Sequence, residues 1–297
     1  MADKKAAFVA VVGRPSSGKS TLVNQICGEK VAIVSKVPQT TRNAIRGIVN
    51  REQGQLVFID TPGRHISDKK FNKKLTDVSG RAANDSDIVL YLLDASRPPG
   101  PEEAEIASML APYADRTIAA INKTDLNNNC GGIHEFLAGN LPALGKDRRF
   151  EISAKNNAGV ETMLAALFDM AGEGEPFYGE EYYTDQEVDF RIAEIIREQA
   201  INRLRQELPH ALYVEVADAQ FTKESQKLWV RAFIVVERES QKGMVVGRGG
   251  AMIKAIRLAA LKELKNIFDW KIELDLRVKT GKDWRHNDRA LKKIIDR

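Results

Sequence analysis

Lys19 and Ser20 close the run Gly13-Arg14-Pro15-Ser16-Ser17-Gly18-Lys19-Ser20, which has the G-x-x-x-x-G-K-[ST] spacing of a phosphate-binding loop. An apolar run over 7–12 precedes it, and the helix-compatible Thr21-Leu22-Val23-Asn24-Gln25-Ile26-Cys27 follows. That strand–loop–helix setting lets successive backbone N–H groups point at phosphate oxygens, with the positive end of the helix dipole behind them. Lys19 would supply a mobile charge to the β- and γ-phosphates, and Ser20 a hydroxyl to Mg²⁺. Three more segments have suitable chemistry. Leu56-Val57-Phe58-Ile59 ends in Asp60-Thr61-Pro62-Gly63, where a strand-end carboxylate can hold Mg²⁺ through water and a glycine N–H can reach the γ-phosphate. Ile118-Ala119-Ala120-Ile121 ends in Asn122-Lys123-Thr124-Asp125, and Asp125 can accept the N1–H and 2-amino N–H of guanine together. Adenine lacks that donor pair, so such a residue selects the base. Phe150-Glu151-Ile152 ends in Ser153-Ala154-Lys155, where the Ala154 N–H could meet guanine O6. Any one short motif could be an Asx turn at a strand end. All four in this order imply a guanosine triphosphate site.

The elements that must position these residues follow from hydrophobic patterning. Strands are expected to end near Val12, Asp60, Asp94, Ile121 and Ile152, with an antiparallel strand around 44–50. Helices are expected over roughly 19–28, 70–84, 101–113, 131–139 and 158–171. The alternation predicts an α/β domain over 1–172: a mostly parallel sheet with helices on both faces and ligand loops at the strands' C-terminal ends. Residues 173–186 hold five acidic and no basic groups among glycines and a proline, and read as a linker.

A different pattern occupies 187–297. An amphipathic helix is expected over 187–208, stopped by Pro209, followed by strands over 211–221 and 228–237. A helix opened by Gly247-Arg248-Gly249-Gly250 is expected to run to about Phe268, then a strand over 272–279 and a basic terminal helix. Residues 240–297 carry 15 basic and 7 acidic groups, the footprint of a nucleic-acid surface. A GxxG loop alone is often a helix-entry turn. In this basic setting and element order it matches a type II KH domain, an α+β fold that grips single-stranded nucleic acid. Gly247, Gly249 and Gly250 would admit the nucleic-acid backbone, Arg248 and Lys254 would add charge, and Val245, Val246 and Ile253 would line a groove for bases.

The 297 residues suffice for two domains, and their 43% hydrophobic and 29% charged content is that of a globular chain. No apolar run approaches the ~18 residues of a membrane span. The N-terminus leads straight into the first strand and leaves no room for a signal peptide. The two cysteines, Cys27 and Cys130, lack CxxC spacing and read as reduced thiols, and the four histidines suggest no metal site.

The four nucleotide motifs resemble those of the translation-factor-related class of GTPases. Pro38-Gln39-Thr40-Thr41-Arg42 resembles that class's first switch, and the resemblance implies a threonine there, Thr41 rather than Thr40, that completes the Mg²⁺ shell. Hydrolysis would then rest on Lys19, Thr41, Asp60 and Gly63, with Ser20, Thr41 and Asp60 around the metal. A GTPase, a short acidic linker and one type II KH domain together resemble the Era family of ribosome-assembly GTPases over essentially the whole chain. Supporting stretches are Gly13-Arg14-Pro15, Asp60-Thr61-Pro62-Gly63, Tyr183-Thr184-Asp185, Glu194-Ile195-Ile196-Arg197-Glu198 and Val235-Val236-Glu237-Arg238. The resemblance implies a cytoplasmic GTPase binding GTP, GDP and Mg²⁺. It also implies contact with single-stranded sequence near the 3′ end of small-subunit ribosomal RNA, a role in maturing the small subunit, and loose inner-membrane association. No helix face demands a dimer, so a monomer is expected. Two positions depart from the family pattern. Ser16 stands where relatives carry asparagine, which leaves K⁺ stimulation open, and Arg64 follows Gly63 where relatives carry an apolar residue. Arg64 reads as a stray charge on a switch or as a group acting on transition-state charge. The alternative function is an RNA-binding protein whose nucleotide domain senses GTP without turning it over.

Overall fold

The computed structural model describes residues 4–38, 40–63, 70–126, 129–282, 284–286, 291 and 294. The chain forms two compact units, one of residues 1–32 and 41–185, the other of 33–40 and 186–297.

The first unit alternates β1 (Lys5–Val12), α1 (Lys19–Cys27), β2 (Ile45–Arg51), β3 (Gly54–Asp60), α2 (Lys70–Asp85), β4 (Ile88–Asp94), α3 (Pro101–Leu110), β5 (Thr117–Asn122), α4 (Cys130–Asn140), β6 (Arg149–Glu151) and α5 (Val160–Met170). The sheet order is β2-β3-β1-β4-β5-β6. β2 alone runs antiparallel, against β3, and the other four pairings are parallel. Apolar residues run nearly unbroken along the inner strands because both faces are covered. Val9 and Val11 point to a core shared with Leu22, Val23 and Leu164, while Ala10 and Val12 point to one shared with Ile106, Ile133 and Leu137. The strand order reverses at β1, between β3 and β4, which is where such sheets bind ligands beyond the strands' C-terminal ends.

The acidic stretch after α5 is laid along this unit. Gln55 Oε1 accepts from the N–H groups of Phe177 and Tyr178, and Thr184 Oγ1 donates to the Arg46 carbonyl at 2.8 Å. Arg46 pairs with Asp185 at 2.7 Å.

The second unit contains α6 (Val188–Ile201), α7 (Leu208–Ala211), β7 (Leu212–Thr222), β8 (Lys227–Val236), α8 (Glu239–Val246), α9 (Ala251–Ile267) and β9 (Lys271–Thr280). Its sheet, β7-β8-β9, pairs antiparallel and then parallel. Ile192, Ile195 and Ile196 of α6 and Ile256, Ala260 and Leu264 of α9 pack on Val230, Ala232 and Ile234. The order is that of the expected α+β KH fold, with two corrections. The helix expected to continue to 208 ends at Ile201; beyond it the chain turns, with Gln206 at φ 57°, and Pro209 sits inside the short α7. α8, directly before the GxxG loop, was not expected. Most of the expected terminal helix lies outside the described residues.

Candidate functional site

β1 delivers the phosphate-binding loop, and the structure shows what holds its shape. Arg14 is 5% exposed, and its side chain lies against Asp94 at the end of β4 (3.1 Å) and Glu103 of α3 (2.7 Å). Its contribution to a phosphate is therefore through the backbone. Lys123 donates to the Ser16 carbonyl and pairs with Asp94, both at 2.7 Å. Asn122 Nδ2 donates to the Ser17 carbonyl, and its Oδ1 accepts the Ala154 N–H at 2.9 Å. The loop is thus pinned to the segments 122–125 and 153–155 by side chains at the ends of β4 and β5. Sequence reading missed Asp94 and Glu103 as loop partners. An acid at a strand's C-terminal end, as at Asp60, was the available signal.

Three hydroxyl or carboxylate groups expected around a metal converge. Ser20 Oγ donates to Asp60 Oδ2 at 2.6 Å and lies 3.0 Å from Thr41 Oγ1, which itself is 3.4 Å from Asp60 Oδ2. Thr40 instead donates its hydroxyl to the Val37 carbonyl. An all-oxygen set of this kind suits a hard divalent cation such as Mg²⁺. Gly63 approaches the loop so closely that a Cβ there would stand 2.5 Å from the Pro15 nitrogen. Thr61 turns away, donating to the Val11 carbonyl. Thr21 is half-buried in the first turn of α1, and Lys155 is exposed. Thr124 donates to the Ile152 carbonyl and Ser153 Oγ to Asp125 Oδ1, so the Asp125 carboxylate is oriented by the neighbouring loop. Arg64 lies outside the described residues.

Charge in this site is costly without a counterpart. Lys19 donates to the carbonyls of Gly13 and Arg14 at 3.0 and 2.8 Å. Burial pulls its ammonium down from 10.5 to about 8, against the attraction of Asp60. Burial likewise pushes the Asp60 carboxyl up from 3.8 to about 6, opposed by Lys19, Ser20 and Thr41. With a folded pKa above the unfolded one, Asp60 favours the folded state at low pH and loses that contribution as pH rises through about 6. In nucleotide-free, Mg²⁺-free protein the buried carboxylate therefore disfavours the folded state above pH 7. Lys19 stays protonated throughout the window from pH 5 to 7, so its burial cost there is constant. Asp60→Asn is therefore expected to gain stability over wild type as pH rises from 5 to 7, read from paired thermal melts. A pH-independent difference would mean that Asp60 is not the titrating group.

The GxxG loop follows α8. Gly247 has φ 74°, and a Cβ there would meet Met252 at 2.7 Å, so the fold itself requires this glycine. Gly249 (φ 57°) faces open space, and Arg248, Gly249 and Lys254 are exposed. α9 starts immediately after the loop, so the positive end of its dipole lies at the loop. Lys254, Lys262 and Lys265 are exposed along the helix. Val246 and Ile253 are half-buried and available to a groove. Val245 is a correction: it is fully buried in the core against α6 and α9 and cannot line a groove, because α8 turns that face inward.

A family model described as 50S ribosome-binding GTPase matches residues 8–123, and one described as KH domain matches residues 207–285. The chain is 51% identical over 287 residues to GTPase Era of Treponema denticola, covering 96% of this chain and 98% of that protein. It is 41% identical to GTPase Era of Borreliella burgdorferi, covering 98% and 100%. A crystal structure of Era in complex with MgGDPNP and nucleotides 1506–1542 of 16S ribosomal RNA matches with a TM-score of 0.91 at 29% identity, covering 97% of this chain and 98% of that one. A variant of Aquifex aeolicus Era bound to GDP·AlF4⁻ matches with a TM-score of 0.90, also at 29% identity and with the same coverage.

Proposed function

The chain belongs to the Era family of GTPases, and from that premise we propose that it is a GTP-hydrolysing switch. Its KH unit binds single-stranded sequence near the 3′ end of small-subunit ribosomal RNA and assists maturation of that subunit. The observation that carries the reading is the convergence of Ser20, Thr41 and Asp60 beside Lys19, on a loop tied to the guanine-selecting segments. Ser20, Thr41 and Asp60 would hold Mg²⁺, which when bound neutralises charge on the β- and γ-phosphate oxygens. Backbone N–H groups of the loop and Lys19 orient the phosphates, Gly63 brings its N–H to the γ-phosphate, and Asp125 fixes the base. Catalysis rests on positioning and electrostatics, with no covalent intermediate. The nucleotide and RNA present in the solved Era relative support the same pair of ligands here. The proposal places the protein in the cytoplasm as a monomer, with peripheral contact at the inner membrane. No helix among the described residues is long and apolar enough to cross a membrane.

Gly249 is the probe for the RNA half. Its φ of 57° lies in the left-handed region that aspartate tolerates better than most residues, and a Cβ there meets nothing within 4 Å. Gly249→Asp should therefore fold, yet place a carboxylate where phosphate must approach. Affinity for a single-stranded oligonucleotide copied from the small-subunit RNA 3′ end is expected to fall by about a hundredfold or more, with GTP affinity unchanged. Arg248→Ala should weaken binding less and flatten the salt dependence by about one phosphate contact. Wild-type oligonucleotide affinity in a folded Gly249→Asp variant would put the RNA site elsewhere.

A further inference from the structure

Asp94 closes β4 and is buried in contact with both the phosphate-binding loop and the segment 122–125, all within the first unit. Its two oxygens have different partners. Oδ1 accepts from the Ser96 N–H at 2.9 Å and from Ser96 Oγ at 2.5 Å, which fixes the rotation of the carboxylate. Oδ2 then faces two cations, Arg14 Nη2 at 3.1 Å and Lys123 Nζ at 2.7 Å. Arg14 turns its Nε to Glu103 Oε1 at 2.7 Å, and Glu103 Oε2 accepts the Gly100 N–H at 2.8 Å. Two carboxylates thus meet two cations, and Arg14, Asp94 and Glu103 are each at most 5% exposed. Breaking such a buried set leaves a charge unpaired, so its geometry is held firmly.

Backbone strain marks the place that this set supports. Ser16 has φ 62° and Lys123 φ 70°, left-handed values that neither residue type favours. One hydrogen bond joins the two, from Lys123 Nζ to the Ser16 carbonyl at 2.7 Å. Strained residues persist where their surroundings over-determine them, and the second hold on Lys123 Nζ is Asp94. The lysine stem therefore runs from the segment that carries Asp125 to the loop that carries the phosphate-directed N–H groups. We infer that Asp94 is a positioning residue for nucleotide retention. It fixes Lys123 and Arg14 on one carboxylate oxygen, so that the segment 122–125 and the phosphate loop act as a single clamp on guanine nucleotide. An amide cannot replace it, since an asparagine that keeps Ser96 on its oxygen turns an NH₂ group toward two cations.

This role rests on the proposed nucleotide site, and the measurements separate the two. Dissociation of fluorescent GDP and of a fluorescent non-hydrolysable GTP analogue is followed by chase with unlabelled nucleotide, beside thermal melts of the nucleotide-free protein. The chains compared are wild type, Asp94→Asn, Lys123→Ala, the double variant Asp94→Asn/Lys123→Ala, and Ser96→Ala. Asp94→Asn is expected to release GDP roughly tenfold to a hundredfold faster, the range open to one charge-assisted hydrogen bond. Release of the GTP analogue should quicken by the same factor, because none of these contacts involves Ser20, Thr41 or Asp60. A carboxylate with a structural part alone would lower the melting temperature and leave the dissociation rate of the folded protein where it was. The double variant should release GDP by less than the product of the two single effects. Ser96→Ala keeps every charge and frees the carboxylate to rotate. It should fold and release GDP roughly threefold to tenfold faster, and it decides the matter if Asp94→Asn melts early. Failure of wild type to retain guanine nucleotide would sink the nucleotide-site reading itself. Tight binding by wild type alongside unaltered release in folded Asp94→Asn, or in Ser96→Ala where Asp94→Asn does not fold, would overturn the role of Asp94 alone, as would fully multiplicative effects in the double variant.

Discussion

Lys19→Ala is expected to lower GTP turnover at least about a thousandfold and to weaken GTP more than GDP, with the fold intact. The loop loses the lysine's bonds to the Gly13 and Arg14 carbonyls but keeps its other holds. Arg14 is held by Asp94 and Glu103, Ser16 by Lys123 and Ser17 by Asn122, none of which the substitution touches. What disappears is a buried cation that no neighbour can replace. Lys123 is committed to Asp94 and the Ser16 carbonyl, and Arg14 faces away from the phosphates. Removing one preorganised donor to developing charge commonly costs a hundredfold to a thousandfold. Here the donor carries a full charge and is 5% exposed, so the loss should sit at the upper end or beyond. GTP suffers more than GDP because a lysine in this position reaches both β- and γ-phosphates. Lys19→Arg should fail as well: the site holds a point charge on a flexible stem, and a planar guanidinium needs more volume than the loop leaves. Phosphate-release kinetics and titration with fluorescent GDP and GTP give the comparison, with circular dichroism as the check on folding. Turnover within tenfold of wild type in a folded variant would remove Lys19 from the mechanism.

The parts of this site that could be read from the chain are those in which backbone shape is the function. Gly13, Gly18, Lys19, Asp60, Gly63, Asn122 and Asp125 lie at or shortly after strand ends, where residue type alone suggests the role, and the structure brings those strand ends to one edge of one sheet. The parts that stayed illegible depend on where a side chain finds its partner. Arg14 stands at a variable position of the loop motif, and nothing in the motif says that Asp94 and Glu103, distant in the chain, will turn it inward. Ile33 to Thr40 has neither helical nor strand periodicity, so its attachment to α6 rests on hydrogen bonds of Glu198, Asn202 and Arg197, separated from it by more than 150 residues. Val245 fitted a groove-lining pattern as well as a core pattern, and the unexpected α8 decided between them. The helix expected to run until Pro209 in fact ends at Ile201, and Leu204 and Leu208 beyond it are still buried.

Asp125→Asn is expected to weaken GTP by roughly a hundredfold or more and to confer binding of xanthosine triphosphate. Guanine offers two parallel donors, N1–H and the 2-amino group, and a carboxylate accepts both with full charge. Losing one of two charge-assisted bonds, and facing the amino group with an amide N–H, costs about 3 kcal/mol. Xanthine carries a carbonyl at the 2-position, so the asparagine Nδ2 can donate where the carboxylate could only repel. The structure adds a reason for the substitution to be clean. Ser153 Oγ donates to Asp125 Oδ1 at 2.6 Å, and an asparagine can keep that bond through its own Oδ1. The remaining arm, Nδ2, then takes the place of the carboxylate oxygen that the hydroxyl does not engage. Ser153→Ala combined with Asp125→Asn should accordingly erode the new specificity, since the amide would lose the contact that sets which end faces the base. The flanking contacts, Thr124 to the Ile152 carbonyl and Asn122 to Ala154, are untouched, so phosphate binding and kcat at saturating xanthosine triphosphate should approach those of wild type with GTP. Competition titrations of GTP against xanthosine triphosphate measure the exchange of specificity. Unchanged GTP affinity, or a loss of GTP with no gain of the xanthine nucleotide, would place base selection on another residue.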